Sequence, residues 1–299
     1  MPLCSNVFTS PERCRVNILI CRMKELLDDA RKDNRAVGAF SVANMEMIMG
    51  VVKAAETLNT PVVIQVAEAR LRHSPLAYIG PMMVGAAKQA AVDVCVHLDH
   101  GMTMTTLKEA KELGFTSIMF DGSAFSLEEN VAKTKEVVAF ARMHDLTAEA
   151  ELGVVGGKEG GSVEHRAKFT EPAEAEFFVN ETGIDALAVA IGNAHGHYSG
   201  EPQLDFEVLR DISQRVGTPL VLHGGSGISP AEFRKCIDLG IRKINIGTAN
   251  FDAFVDAAEK YLELVPRPDY FSLNERLVHA VYEETKKCIE IFNNKEASS

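Results

Sequence analysis

The segment His97-Leu98-Asp99-His100 places two imidazoles and a carboxylate within four residues. It ends an apolar run that begins at Val92, which is typical of a short buried strand, and helix-like sequence follows from residue 103. A carboxylate beside a metal-binding imidazole is suited to proton transfer next to a Lewis acid. Core or capping roles for His97 and His100 explain this segment equally well, so the positions of the other polar residues must decide.

The elements that would hold these residues alternate regularly between short apolar segments and segments of helical periodicity, as parallel βαβ units do. Strands are predicted at residues 37–42, 62–66, 93–98, 116–120, 147–151, 186–191, 219–222 and 242–246. Helices are predicted at residues 23–32, 46–58, 81–91, 104–113, 127–143, 172–182, 204–215, 230–239 and 249–260, followed by a helical appendage at 261–294. Eight strand–helix pairs predict an α/β fold, the (β/α)8 or TIM barrel.

The whole of residues 23–299 is predicted to form this single domain, after an N-terminal extension of residues 1–22. An open, doubly wound sheet is the alternative architecture for such an alternation. The first predicted strand is not followed by the GxGxxG pattern of dinucleotide-binding sheets, so the barrel is favoured.

Composition limits the classes of partner. The net charge of −11 argues against nucleic acid and anionic membrane surfaces as partners. No apolar segment approaches the ~20 residues that a membrane-spanning helix needs. The six cysteines form no CxxC pair and are typical of reduced thiols in the cytoplasm, which is the predicted location.

The unusual polar residues gather at one end of the predicted strands. In strand order they are Asp99 and His100, Asp121, Glu151, His195, His223, and the run Asn245 to Thr248. If they served stability alone, they should be spread over both ends of the strands. All of them follow or close a strand at its carboxyl end, where barrel enzymes build their active sites.

Three of these residues suit a metal. His100, His195 and His223 follow different strands and can converge at the barrel mouth, and catalytic zinc commonly takes three protein ligands with a fourth position open. We therefore predict them as the ligand set. His97 lies out of phase with His100 along the strand and is expected to support the site or pack in the core instead.

Glycine-rich turns follow the last two predicted strands. Gly224-Gly225-Ser226 and Asn245-Ile246-Gly247-Thr248 leave backbone N–H groups free to face an anion. The loops after strands 7 and 8 are the usual phosphate site of this fold. Ordinary tight turns are the alternative explanation.

Eight short motifs occur in order between about Met23 and the C-terminus. They are Ala39 to Asn44, His97 to His100, Phe120 to Ser123, Glu149 to Gly153, Gly156 to Glu159, Ala190 to Gly196, Leu222 to Ser226 and Asn245 to Thr248. Together they resemble the class II, metal-dependent ketose-bisphosphate aldolases, which include the fructose- and tagatose-bisphosphate enzymes.

The resemblance implies one catalytic Zn²⁺ on His100, His195 and His223, with Asp121 and Glu151 at positions that hold a displaced or second metal. It implies that the 1-phosphate of dihydroxyacetone phosphate contacts the glycine-rich segments, and that Na⁺ or K⁺ binds near Gly196 and Gly224 in some relatives. The substrate-binding set implied in this way is Ser41, Asn44, Gly196, Gly224, Gly225, Ser226, Asn245, Ile246, Gly247 and Thr248.

The resemblance also implies the reaction. Aldol cleavage of a ketose 1-phosphate leaves an enediolate, whose charge a metal stabilises without a Schiff-base lysine. Asp99 would remove the C4 hydroxyl proton, and Glu159 would exchange the proton at C3 of dihydroxyacetone phosphate. Closure of the glycine-rich loop that carries Glu159 would exclude water.

The sequence departs from the family where the distal phosphate binds. Ala67 replaces a serine and Leu273 replaces an arginine. Further departures are Ser41 in the first strand, Ser199 in place of a lysine of many fructose-bisphosphate enzymes, and Gly160-Gly161 in place of an acidic run. We therefore hypothesise that the acceptor aldehyde carries no phosphate and is an uncharged or carboxylated sugar, with Arg70, Arg72 or Arg276 as recognition groups.

Three alternatives remain open from the sequence. The chain is a standard fructose or tagatose 1,6-bisphosphate aldolase if a shifted alignment restores Arg276 to the distal site. His195-Gly196-His197 resembles the HxH of barrel metal hydrolases, although that family carries HxH after the first strand. A regulatory subunit is the third class, against which Asp99, Glu159 and the three histidines argue. The helical appendage suggests a homodimer or homotetramer.

Overall fold

A closed barrel of eight parallel strands forms the centre of the protein. The computed structural model describes residues 20–157, 167–198 and 200–294. The barrel strands are β1 Val37–Ser41, β2 Val62–Ala67, β3 Val94–Gly101, β4 Ser117–Phe120, β5 Thr147–Leu152, β7 Ala186–Val189, β9 Leu220–Leu222 and β10 Ile241–Ile246. They pair in the order β1-β2-β3-β4-β5-β7-β9-β10, and β10 returns to β1. Two short strands above the barrel, β6 Gly156–Gly157 and β8 Ala194–His195, pair with each other. The predicted (β/α)8 barrel is confirmed.

Helices cover the outside of the barrel. They are α1 Met23–Lys32, α2 Met45–Thr57, α3 Leu76–Gln89, α4 Met104–Glu112, α5 Leu127–Met143, α6 Pro172–Thr182, α7 Phe206–Arg215, α8 Pro230–Asp238, α9 Thr248–Leu264 and α10 Tyr270–Phe292. The predicted appendage consists of the end of α9 and all of α10. Helix α10 packs along α2 and α9. Among the described residues, no helix is long and apolar enough to span a membrane.

Two apolar cores result from the alternation of side chains along each strand. Side chains that point outward from the strands pack against the helices in the larger core. Inward-pointing residues such as Val63, Cys95 and Val221 form a smaller core inside the barrel, together with Met23 and Leu27 of α1. Helix α1 therefore closes the amino-terminal end of the barrel, and within the described part of the chain the carboxyl-terminal end is the one left open for a site.

Two predicted boundaries are wrong. Helix α3 begins at Leu76, after Pro75 at its N-cap, rather than at Pro81. Proline is common at the first helical position, but Pro81 lies inside the helix. Strand β3 extends to Gly101, so that Asp99 and His100 lie in the strand rather than after it.

Candidate active site

A buried cavity opens at the carboxyl ends of the barrel strands. Its walls come from the ends and loops of five barrel strands, β1, β2, β3, β9 and β10, and from the β8 segment. The lining residues are Ser41, Gln65, Arg70, Asp99, His195, Gly196, Gly224, Ser226, Asn245, Gly247 and Thr248. The convergence of polar residues that the sequence predicts at this end of the barrel is therefore present in the fold.

A β-bulge turns His100 into the site. The pairing of β3 with β4 shifts register between Leu98 and Gly101, and His100 has a backbone φ of 45° in the left-handed region. In a regular strand His100 would point to the opposite face from Asp99. Bulges of this kind redirect side chains beside active sites, and here the result is that Asp99 and His100 both reach the cavity end of the barrel.

Three imidazoles converge there. One ring nitrogen from each of His100, His195 and His223 lies within 4.8 Å of the others. Nε2 of His100 and Nδ1 of His223 are 2.9 Å apart. Two imidazole nitrogens this close need a proton or a cation between them, because two lone pairs would otherwise face each other.

Carboxylates determine which ring nitrogens face inward. Nδ1 of His100 lies 2.7 Å from Asp121 Oδ2, and Nε2 of His223 lies 2.9 Å from Glu149 Oε1. A carboxylate only accepts hydrogen bonds, so these two nitrogens carry protons. The free nitrogens are then Nε2 of His100 and Nδ1 of His223, which are the two that face each other. Histidine ligands of metals are commonly oriented by carboxylates in this way.

Glu151 supplies a further test of whether the residues fit a metal. Its Oε2 atom is buried and has no hydrogen-bond partner. It lies 3.9 Å from His100 Nδ1 and 3.8 Å from His223 Nδ1. An unpartnered buried carboxylate oxygen is costly unless a cation joins it, and His100, Asp121 and Glu151 also form a group with metal-ligand spacing. Imidazole and carboxylate donors at this position fit a divalent ion such as zinc.

The pKa values of the residues in this cluster are shifted in opposite directions. Burial lowers the pKa of His223 well below its usual range, with a further lowering from His100. Burial also acts to lower the pKa of His100, but Asp99, Asp121 and Glu151 outweigh it and raise that pKa well above its usual range. Burial, with Asp121 nearby, raises the pKa of Glu151. The cluster thus retains a proton on His100 in the absence of a cation.

Asp99 is held by two side-chain amides. Gln65 Nε2 donates to Asp99 Oδ2 at 3.0 Å, and Asn245 Nδ2 donates to Oδ1 at 3.2 Å. Asp99 is almost fully buried but lines the cavity. A carboxylate with a fixed orientation next to the histidine cluster is placed to accept a proton from a molecule in the cavity.

Backbone groups line the opposite side of the cavity. Gly224 has a φ of 62°, and a Cβ there would lie 2.1 Å from the Ala194 carbonyl oxygen, so only glycine fits. Gly247 is the N-cap of α9 and has no capping side chain, so N–H groups at the start of this 17-residue helix remain available to an anion. Ser226 Oγ accepts from Ala249 N and joins the two loops. These segments form a wall whose backbone N–H groups suit an anion, and we name it the anion-binding wall.

The other predicted residues have different positions. Asn44 caps α2 by accepting from Met47 N at 2.9 Å. Gly225 N donates to the Asn245 carbonyl at 3.0 Å, and Ile246 is buried in β10. Glu159 and Ser199 lie outside the described residues, although Gly157, two residues before Glu159, pairs with His195.

His197 does not form an HxH pair with His195. It is mostly exposed, and its Nε2 lies 3.6 Å from Asp252. The hydrolase-like interpretation of His195-Gly196-His197 therefore has no support in the structure.

Sequence reasoning missed the polar layer beneath the cavity. Lys243 and Glu149 are completely buried and paired, and His97 Nδ1 lies 2.8 Å from Ser117 Oγ. The signal was the two-residue period of the strands, since Lys243 and Asn245 alternate with isoleucines in β10 and must share a face.

Comparison with known proteins identifies relatives over nearly the whole chain. Residues 21–297 match the family model described as fructose-bisphosphate aldolase class-II. A fructose-bisphosphate aldolase of Staphylococcus aureus is 41% identical over 243 residues, covering 80% of this chain and 85% of the relative. A 6-phospho-5-dehydro-2-deoxy-D-gluconate aldolase of Halalkalibacterium halodurans is 42% identical over 243 residues, with 80% and 84% coverage. The crystal structure of the YdjI aldolase from Escherichia coli K12 superimposes with a TM-score of 0.82 at 37% identity, covering 91% of this chain and 97% of that one.

Proposed function

Since the chain belongs to the class II fructose-bisphosphate aldolase family, we propose that it reversibly cleaves a ketose 1-phosphate into dihydroxyacetone phosphate and an aldehyde without phosphate. Members of this family are metal-dependent carbon–carbon lyases that act on phosphorylated sugars, and this chain is such an aldolase. The observation that carries the proposal is that Asp99, His195 of the histidine cluster and the anion-binding wall line one cavity.

His100, His195 and His223 would hold the catalytic ion, and Asp121 and Glu151 would hold it in a second position. A divalent ion held there supplies a Lewis acid for the negative charge that develops next to the breaking carbon–carbon bond. The best-supported metal is Zn²⁺, from the three imidazoles.

Asp99 accepts the C4 hydroxyl proton during cleavage and returns it during condensation. Gln65 and Asn245 keep its carboxylate aimed into the cavity. Gly196, Gly224, Ser226, Gly247 and Thr248 contact the 1-phosphate through backbone N–H groups and the start of α9. Gly225, Asn245 and Ile246 shape this wall, since the Gly225 N–H already donates to the Asn245 carbonyl. Glu159 exchanges the proton at C3, and Ser41, which lines the cavity, completes the set of residues in contact with the substrate, whereas Asn44 acts through the cap of α2. We also propose Na⁺ or K⁺ near Gly196 and Gly224, which the structure brings to one wall of the cavity.

Two departures in the sequence support an aldehyde without phosphate. Ala67 and Leu273 occupy positions where the family resemblance implies a serine and an arginine for the distal phosphate, and of the three candidate arginines Arg70 lines the cavity. Arg70 also lies over the Phe251 ring at 4.5 Å, whereas Arg276 lies over Tyr261 and Arg72 donates to His73. A guanidinium at this point favours a carboxylated sugar aldehyde over an uncharged one.

The names of the relatives support two different acceptor aldehydes. The Halalkalibacterium relative is named for a gluconate derivative, which carries a carboxylate. The Staphylococcus relative is named for fructose bisphosphate and favours the alternative, a standard fructose or tagatose 1,6-bisphosphate aldolase that gives glyceraldehyde 3-phosphate.

Condensation of dihydroxyacetone phosphate with a panel of aldehydes distinguishes these alternatives. The panel contains glyceraldehyde 3-phosphate, an uncharged aldose and a sugar aldehyde with a terminal carboxylate, each with and without chelator. We expect the carboxylated aldehyde to react fastest and the chelator to abolish turnover. Cleavage of fructose or tagatose 1,6-bisphosphate with kcat/KM above ~10⁴ M⁻¹s⁻¹ would contradict the proposed acceptor, because such values are typical of native substrates.

An Arg70→Met variant separates recognition from chemistry. We expect about a tenfold loss of kcat/KM for the carboxylated aldehyde and little change for the uncharged one, as expected for one lost charge-assisted hydrogen bond. Arg276→Met, outside the cavity, is the matched control.

We further propose a cytoplasmic homodimer or homotetramer. The described cysteines, Cys21, Cys95, Cys236 and Cys288, are all free thiols, as expected in a reducing compartment. Leu264, Tyr270 and Phe271 at the turn between α9 and α10 are more than half exposed, which favours burial against a second copy. Light scattering coupled to size-exclusion chromatography measures the assembly.

A further inference from the structure

Lys243 lies inside the barrel below the histidine cluster and has no exposed surface. Its Nζ donates to Glu149 Oε2 at 2.8 Å. A buried ion pair is expensive because both charges lose their hydration, and an apolar pair of similar volume often stabilises a fold equally well. The neighbouring inward positions below it, such as Val63 and Val221, are apolar. The pair is therefore poorly explained by stability alone.

The second oxygen of Glu149 connects this pair to the histidine cluster. Glu149 Oε1 accepts from His223 Nε2 at 2.9 Å, so Nδ1 of His223 is left to face His100. The three side chains form a continuous chain from Lys243 through Glu149 to His223. The position of the Glu149 carboxylate thus decides which nitrogen of His223 is presented to the cavity end of the barrel.

His97 is a competing partner for Glu149. Its buried Nε2 has no hydrogen-bond partner and lies 3.7 Å from Glu149 Oε2. Without Lys243, that oxygen can turn toward the unpartnered His97 Nε2, and such a rotation of the carboxylate would draw Oε1 away from His223. Lys243 occupies Oε2 and removes this alternative.

We propose that Lys243 is a positioning residue for the metal centre, which holds Glu149 so that His223 presents Nδ1 to the ion. The inference rests on the proposed metal centre of His100, His195 and His223. It assigns Lys243 no contact with the ion or the substrate.

Metal affinity measured on the folded protein tests this role. Co²⁺ dissociation constants are obtained by competition with a chelator for the wild type and for Lys243→Met, which keeps an unbranched side chain of similar length. We expect at least a tenfold weaker affinity and a changed Co²⁺ absorption spectrum, since outer partners of histidine ligands typically contribute 10- to 100-fold. Lys24→Met is the matched control, because it removes the ion pair between half-exposed Lys24 of α1 and Asp185. Its Co²⁺ affinity should stay within twofold of the wild type.

A double-mutant cycle shows whether Lys243 acts through Glu149. Glu149→Gln alone should weaken Co²⁺ binding, and adding Lys243→Met should weaken it by less than a further twofold. An unchanged Co²⁺ affinity in Lys243→Met would overturn the proposal. So would a double variant whose loss of affinity is the product of the losses in the two single variants. Failure of the wild type itself to bind Co²⁺ would instead contradict the metal centre on which the inference rests.

A measurement on the unaltered zinc-loaded protein is decisive if the variants do not fold. Ring ¹⁵N spectra of histidine-labelled protein identify the protonated nitrogen of each imidazole. We expect His223 to carry its proton on Nε2. A proton on Nδ1 of His223 would show that Glu149 does not orient the ring, and Lys243 would then have no positioning role.

Discussion

The side-chain amide of Gln65 donates to Oδ2 of Asp99 at 3.0 Å across two neighbouring strands of the barrel, and both side chains are buried at the edge of the cavity. Strand β2 pairs Gln65 with His97, so the bond to Asp99 runs diagonally toward the barrel mouth. Asn245 donates to the other oxygen from β10, on the far side of β1. The carboxylate is thus fixed from two directions.

Removal of the Gln65 amide should slow the reaction without removing the metal. In Gln65→Met the side chain keeps its length but loses the donor, so the Asp99 carboxylate can rotate away from the reacting hydroxyl. We expect kcat for cleavage to fall about tenfold to a hundredfold, because small misplacements of a catalytic group are costly. Gln89→Met, at the exposed end of α3, is the control. Unchanged kcat in Gln65→Met would show that Asn245 alone suffices.

Substitution of Asp99 separates proton transfer from metal binding. Asp99→Asn keeps the shape of the side chain and one acceptor oxygen for the neighbouring amides, but it cannot accept the hydroxyl proton. We expect zinc content near that of the wild type and a loss of cleavage of about 10²- to 10⁴-fold, the usual contribution of a general base. Release of dihydroxyacetone phosphate and zinc analysis of the same sample measure both. Loss of zinc in this variant would mean that Asp99 is a ligand instead.

The barrel and the end that carries the site are predictable from the sequence because both follow from local patterns. Apolar runs alternating with helical periodicity predict parallel strands, and His100, His195 and His223 each come at the carboxyl end of a different one. The family motifs supported the same assignment. The predicted start of α3 is wrong, because Pro81 lies inside the helix, which begins at Leu76 after Pro75 at the N-cap.

Contacts between distant strands explain what could not be predicted. The bulge at His100 depends on the register between β3 and β4, which no local pattern indicates. Lys243 and Glu149 are 94 residues apart, and only the closure of the barrel brings them together. Their inward orientation could have been derived from the two-residue period, but their mutual distance could not.

The stability of the metal-free protein should fall as the pH rises from 7 to 8. His100 and Glu151 have pKa values raised above their usual ranges, so in this window the folded state binds more protons than the unfolded chain. Stability then decreases with pH. His97 and His223, with lowered pKa values, act in the opposite direction only below about pH 6.5, the usual value for an unfolded histidine.

Urea unfolding of the metal-free and zinc-loaded protein measures this dependence. We expect the free energy of unfolding of the metal-free form to fall by about 1 kcal/mol over this unit of pH, which is below the limit of ~1.4 kcal/mol for each proton. The zinc-loaded form should change less, because the ion takes the place of the proton. The buried thiols, whose pKa values are also raised, contribute equally to both forms. A metal-free form that becomes more stable with pH would contradict these protonation states.

Two helical glycines should respond in opposite directions to the same substitution. A Cβ on Gly50 of α2 would lie 2.8 Å from Val281 Cβ and 2.9 Å from the Val278 carbonyl oxygen, where α10 packs closely. A Cβ on Gly85 of α3 would have nothing within 4 Å. Alanine favours a helix over glycine by about 1 kcal/mol, so Gly85→Ala should stabilise the zinc-loaded protein by up to that amount. In Gly50→Ala the clash should exceed this gain and destabilise the protein by about 1–3 kcal/mol, as overpacking does.

Urea unfolding measures both changes in stability, from the shift of the midpoint concentration between proteins that unfold with equal denaturant slope. Stabilisation of the protein by both substitutions would show that α10 can move away from α2 and is not held as closely as the contact between Gly50 and Val281 implies.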